Sequence, residues 1–174
     1  MSRSQDARTA PFQAALARVR LLVLDVDGVL TDGRLFYGPK GEALKAFHVR
    51  DGHGIKEVMN AGVTVAILSG RKSAAVARRA AELGIRHVVQ GANDKIAALR
   101  RLARARRVEL EACCCVGDDT PDVPVLEACG VGIAVADAHP DALAAADLVT
   151  QTAGGHGAVR EVCDWLLAAR PATP

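Results

Sequence analysis

This sequence predicts an α/β fold built on a doubly wound, mostly parallel sheet, and three observations carry the prediction. Short apolar runs recur at residues 20–24, 63–68, 87–90, 112–116, 131–135 and 147–150. Stretches of helical spacing fill the gaps, at about 54–61, 73–83, 94–107, 121–128, 140–145 and 158–169. The apolar runs are near-continuous rather than alternating, which suits strands covered on both faces. Strands alternating with helices of about ten residues make βαβ units.

The totals agree. The 174 residues suffice for one domain, 1–174, with its core at about 19–170. Half the chain is apolar and only 3% is aromatic, so the core is aliphatic. A net charge of +2 gives no field that would draw nucleic acid or an anionic membrane. No apolar run approaches the roughly 20 residues of a spanning helix. The opening stretch "MSRSQDARTAPFQAALARVR" lacks the apolar segment of a secretory signal, so a cytoplasmic protein is expected.

Taken in order, the first run, "RLLVL", ends against "DVDGVLTDG", which sets Asp25, Asp27 and Asp32 within eight positions. Carboxylates so close raise one another's pKa unless a cation joins them. Residues 33–49, "GRLFYGPKGEALKAFHV", then break the α/β rhythm. They read as a projecting hairpin around "GPKG" and hold the only tyrosine and two of three phenylalanines. Aromatics there either form a contact surface or fold back on the domain. "HVRDGHG" offers His48, Asp51 and His53, which read as capping and loop residues ahead of the next helix rather than as metal ligands. The second run ends in Ser69-Gly70-Arg71 and the third in "QGANDK". In "KIAALRRLARARR", Ile96, Leu99, Leu102 and Ala103 share a helical face, leaving Arg100, Arg101, Arg104 and Arg107 to solvent. The fourth run holds Cys113, Cys114 and Cys115, which alternate across a strand and so cannot grip one zinc ion. An odd count of five argues against a disulfide framework. "GDDTPD" follows that run, with Asp118, Asp119 and Asp122.

Ligands of an open α/β sheet bind beyond the carboxyl ends of its strands. Several carboxylates, one hydroxyl and one lysine would therefore converge on a single edge. Oxygen donors without nitrogen or sulfur favour a hard cation such as Mg²⁺. A carboxylate neutralised in this way is a competent nucleophile for phosphoryl transfer, and a hydroxyl and an ammonium suit the transferring oxygens. A second carboxylate can protonate the leaving oxygen and then activate water.

"DVDGVLTDG", "LSGR", "DK" and "GDDTPD", in this order, resemble the four motifs of the haloacid dehalogenase-like (HAD) hydrolases. The resemblance implies a Rossmann-like HAD fold. It makes Asp25 the nucleophile and Asp27 the general acid/base. Ser69, Gly70 and Lys95 would bind phosphate, and Asp118 would ligate Mg²⁺ with Asp25 and the backbone carbonyl of Asp27. Asp119 and Asp122 would be supporting acids. Only 42 positions separate Asp27 from Ser69, and from Ser69 to Lys95 there is room for one helix and one strand, so no cap domain is expected. Closing a bare crevice against water then calls for another copy of the chain.

Short, capless and hairpin-bearing, the chain is similar from about residue 21 to 167 to one branch, the phosphatases of 3-deoxy-D-manno-octulosonate 8-phosphate (KDO 8-phosphate). The specific marks are "FHVRDGHGIK", "LSGRKS", "QGANDK", "GDDTPDVPVL", "VADAHP" and "GGHGAVREV". The resemblance implies a homotetramer acting on a small sugar phosphate in lipopolysaccharide precursor synthesis. Its C-terminal tail would close a neighbour's site, and here that tail, "PATP", is short. Arg71, Arg50 and Arg78 are candidates for a sugar carboxylate, Arg71 first because it closely follows Ser69. The alternatives are a phosphatase for a sialic-acid-type 9-phosphate and a non-catalytic oligomerisation module like those of nucleotide-sugar synthetases. Asp25 and Asp27 together oppose the module, since a scaffold has no use for the second acid. A phospho-accepting receiver domain has the wrong motif order, and no P-loop is present for a kinase.

Overall fold

The computed structural model describes residues 9–170. The tail 171–174, expected to form a reduced lid, lies outside them, as does part of the opening stretch read for a signal.

The main sheet consists of β1 (Leu21–Leu24), β4 (Thr64–Ser69), β5 (His87–Gln90), β6 (Cys113–Gly117), β7 (Val131–Ala134) and β8 (Leu148–Val149), with β2 (Phe36–Gly38) and β3 (Gly41–Leu44) set apart in the hairpin. All its pairings are parallel and the spatial order is β5-β4-β1-β6-β7-β8. The order reverses at β1, so a crevice opens beyond its carboxyl end. Every residue of β1, β6 and β7 is buried, because helices cover both sides. Helices α1 (Ala10–Ala17), α2 (Val49–Asn60), α3 (Ala74–Leu83) and α7 (Ala158–Ala168) pack in one group, and α4 (Lys95–Arg106), α5 (Val123–Ala128) and α6 (Pro140–Ala145) in another. The core is aliphatic, centred on Leu22, Leu24, Ile67, Leu99 and Ile133. No helix of the described residues is long and apolar enough to cross a membrane.

The hairpin forms as expected, with β2 (Phe36–Gly38) pairing antiparallel with β3 (Gly41–Leu44) in a two-stranded sheet of its own. Leu35, Phe36, Tyr37 and Leu44 are exposed on it, while Phe47 folds back against the core. Helix α2 corrects the sequence reading, beginning five residues before the expected position 54. His48 caps it by accepting the Arg50 N–H, and Asp51 and His53 lie inside the helix rather than in a preceding turn. Two glycines inside α2 concealed its start, since glycine is a poor helix former. They are kept for packing: a Cβ at Gly54 would crowd Arg160 and Cys163 of α7. The expected helix 121–128 divides into a 3₁₀ turn, Thr120–Asp122, and α5. No cap domain occurs among the described residues, and the cysteines are unpaired.

Candidate active site

Asp25 is the first residue past β1, and its N–H donates to the Val116 carbonyl of β6 (3.1 Å), which carries the strand pairing into the loop. Beyond it the loop turns back on itself. The Thr31 hydroxyl donates to the Val26 carbonyl (3.3 Å) and accepts the Gly33 N–H (3.2 Å). Gly28 has φ +92°, a conformation that L side chains rarely adopt, and a Cβ there would run into the Asp118 carboxylate. From the other side the 154–157 turn presses on the same loop, with the Gly155 N–H donating to the Val29 carbonyl (2.9 Å). The loop carrying Asp25 and Asp27 is thus fixed by backbone contacts on both sides.

A cleft of about 700 Å³ opens there, lined among others by Asp25, Asp27, Ser69, Gly70, Arg71, Lys95, Asp118, Asp119 and Asp122. The structure therefore brings together the residues expected from four separate strand ends. Lys95 Nζ, at the start of α4, lies 2.6 Å from Asp122 Oδ1 and 3.1 Å from Asp25 Oδ1. The second Asp122 oxygen accepts the backbone N–H groups of Asp118 (3.1 Å) and Asp119 (3.3 Å), so Asp122 shapes the turn that presents Asp118. Ser69 is buried at the end of β4, and its Oγ accepts the Arg71 N–H (3.2 Å). Asp119 is exposed and caps the 3₁₀ turn through the Thr120 N–H (2.7 Å).

Electrostatically the cluster lacks positive charge. Burial, then repulsion by Asp122, pushes Asp25 up to about 6 despite Lys95. Burial, then Asp25 and Asp122, pushes Asp118 up to about 8. Burial alone would lower Lys95, but the Asp25 and Asp122 carboxylates outweigh it and raise the ammonium above its ordinary value. Oxygens of Asp25, Asp118 and Asp122 lie within 4.8 Å of one another, the one such group among the described residues. Since Asp122 is engaged by Lys95 and two N–H groups, Asp25 and Asp118 are the oxygens left to receive a cation. An all-oxygen set of mutually repelling carboxylates fits a hard divalent ion.

Two residues that the sequence reading missed complete the site. Lys45, just past β3, has a side chain only 1% exposed and contacts Asp27 Oδ1 and Glu42 Oε2, the latter at 3.2 Å. Glu42 also accepts the Ser73 hydroxyl (2.5 Å) and lies 3.4 Å from Arg71 Nη2, while Arg71 Nε stands 3.6 Å from Asp27 Oδ2. The one available signal was position: the hairpin leaves directly after the aspartate loop and so starts beside the crevice, but the sequence does not say which way it turns. Of the three arginines, only Arg71 lines the cleft. Arg78 borders a separate hollow of about 430 Å³ beside Phe47, and Arg50 is exposed on the first turn of α2. Asp51 is 2% exposed and accepts the Arg160 N–H (2.8 Å), and His53 pairs loosely with Glu57 (3.6 Å), so neither belongs to a metal cluster.

A family described as haloacid dehalogenase-like hydrolase matches the chain over residues 86–162. The 3-deoxy-D-manno-octulosonate 8-phosphate phosphatase of Escherichia coli (strain B / BL21-DE3) is 49% identical over 162 residues, covering 93% of this chain and 86% of its own. The crystal structure of the Moraxella catarrhalis phosphatase of that name, in complex with magnesium ion, phosphate ion and a KDO molecule, matches with TM-score 0.89 and 42% identity over 91% of each chain. The cobalt-bound deoxy-D-mannose-octulosonate 8-phosphate phosphatase of Haemophilus influenzae matches with TM-score 0.88 and 46% identity, covering 90% of this chain and 91% of its own.

Proposed function

The chain belongs to the haloacid dehalogenase-like hydrolases, in the KDO 8-phosphate phosphatase branch, and on that premise we propose that it hydrolyses KDO 8-phosphate to KDO and inorganic phosphate. The carrying observation is the approach of Lys95 to Asp25 and Asp122 beside the Asp118 carboxylate, at the mouth of a cleft large enough for a sugar phosphate.

An Asp25 oxygen attacks phosphorus and forms an aspartyl-phosphate as the bond to the sugar oxygen breaks. Asp27 gives its proton to that leaving oxygen, then takes one from the water that attacks the phosphorus and frees Asp25. The Ser69 hydroxyl, the Gly70 N–H and the Lys95 ammonium hold the phosphoryl oxygens, where charge builds in the transition state. Asp25, Asp118 and the backbone carbonyl of Asp27 would hold Mg²⁺, which would supply the positive charge that the carboxylate cluster lacks. Asp122 keeps Lys95 and the Asp118 turn in place, and Asp119 caps that turn. Arg71, 43% exposed at the cleft, receives the sugar carboxylate.

The chain acts as one domain with a projecting hairpin, in the cytoplasm, as a homotetramer serving lipopolysaccharide precursor synthesis. Exposed Leu35, Phe36, Tyr37 and Leu44 on the hairpin support contact between copies, and closure from a neighbour replaces the cap. The test is phosphate release from KDO 8-phosphate and a panel of other sugar phosphates, with Mg²⁺ or EDTA. We expect metal-dependent turnover that favours KDO 8-phosphate and disappears in Asp25→Asn. Preference for a nine-carbon sugar-acid phosphate would keep the mechanism and overturn the substrate, and no turnover on any ester would overturn both.

A further inference from the structure

We propose that Lys45 is a positioning residue for proton transfer at Asp27, an inference that rests on reading Asp27 as the acid of the phosphatase reaction. Lys45 and Arg71 alternate with Asp27 and Glu42 in a closed ring of two cations and two carboxylates, spanning the hairpin, the aspartate loop and the segment after β4. Ser73 ties that ring to α3. It stands at the N-cap of that helix with extended backbone, yet its hydroxyl makes no capping bond and donates to Glu42 instead (2.5 Å).

The Lys45 ammonium sits on a side chain only 1% exposed. Withdrawing a lysine from water is costly, and the contacts with Asp27 and Glu42 are what offset that cost. The ammonium bridges Glu42 Oε2 (3.2 Å) and a single oxygen of Asp27, Oδ1. Asp27 sits past a strand end on two rotatable bonds, and a single-sided contact at Oδ1 fixes the rotation of the carboxyl group. Its Oδ2 then faces Arg71, which lines the cleft and is 43% exposed. When Arg71 turns to an anionic substrate, Lys45 remains, and Oδ2 is the oxygen that carries the transferred proton. That proton passes to the leaving oxygen as the phosphorus–oxygen bond breaks, and Oδ2 later recovers one from water. Lys45 itself exchanges none.

The test is the leaving-group dependence of kcat/KM over simple monoesters without a carboxylate, from p-nitrophenyl phosphate through phenyl phosphate to an alkyl phosphate. Departure of p-nitrophenolate needs little proton assistance and that of an alkoxide needs much. Lys45→Met should lose roughly 10²-fold on the alkyl and phenyl esters and under about threefold on p-nitrophenyl phosphate, in parallel with Asp27→Asn. Lys45→Arg should recover most of the loss, and Lys45→Gln replaces the methionine variant should that one not fold. A uniform loss across the series would make Lys45 a purely structural ion pair and overturn the proposal. A loss confined to KDO 8-phosphate would make it a substrate contact and also overturn it. An Asp27→Asn variant without leaving-group dependence would instead remove Asp27 from the acid role, and with it the reading beneath.

Discussion

At the scale of single residues, the site is a cluster of carboxylates held against their own repulsion, with Lys95 set between Asp25 and Asp122 and Lys45 between Asp27 and Glu42. Lys95 is 8% exposed, so replacing it with methionine strands the buried Asp25 and Asp122 carboxylates. Lys95→Met should lose about 3–5 kcal/mol of stability in urea unfolding and about 10³-fold in turnover. A variant as stable as the parent would deny that the pair is buried. Asp118 behaves in the opposite sense. Its pKa and that of Asp25 stand at about 8 and about 6, above the ordinary carboxylate value, so the native state holds protons that the unfolded chain has released. Stability without divalent cation should therefore fall as pH rises from about 4 to about 8. Asp118→Asn should flatten that slope and melt several degrees above the parent at pH 8 in EDTA, while Mg²⁺ restores the parent more at pH 8 than at pH 6. Melting curves at pH 5 and pH 8 check the sign, and an Asp118→Asn slope as steep as the parent's would contradict it. Most of these residues were legible because each sits behind an apolar run. Lys45 and Glu42 were not, since their role comes from a hairpin folding back over the site, which no local pattern encodes.

At the scale of elements, spacing located the strands to within a residue or two, and for β1, β4, β6 and β7 the reason is that burial on both faces forces continuous apolar runs. Helix α2 was read late because its first turns hold Gly52 and Gly54, a compositional signal of turn that packing against α7 overrides. Helix α1 was missed altogether. Its eight residues show little amphipathic pattern, and only Leu16 is buried. The hairpin was legible from "GPKG", but its direction was not. It presents one side to the ring around Asp27 and carries exposed Tyr37 and Leu44. On the proposed tetramer, Tyr37→Ser with Leu44→Ser should shift the mass measured by light scattering from four copies toward one. A double variant still eluting as a tetramer would place the contact elsewhere.

For the whole molecule, strand order decides function. With β1 at the reversal point, the loops after β1, β4 and β6 and the start of α4 meet at one edge, and the residues that meet are those proposed above for phosphoryl transfer. The sequence carried each loop, whereas their convergence depends on the order β5-β4-β1-β6-β7-β8, which the alternation of elements allows but does not dictate. The proposed mechanism turns on Asp25 taking the phosphoryl group. It is tested most directly by mixing the enzyme with KDO 8-phosphate and Mg²⁺, quenching in acid within one turnover, and finding the phosphorylated peptide by mass spectrometry. A phosphoryl group on Asp25, within tryptic peptide 21–34, is the expected result. Phosphate release without any phosphopeptide, or a phosphoryl group on another residue, would contradict it.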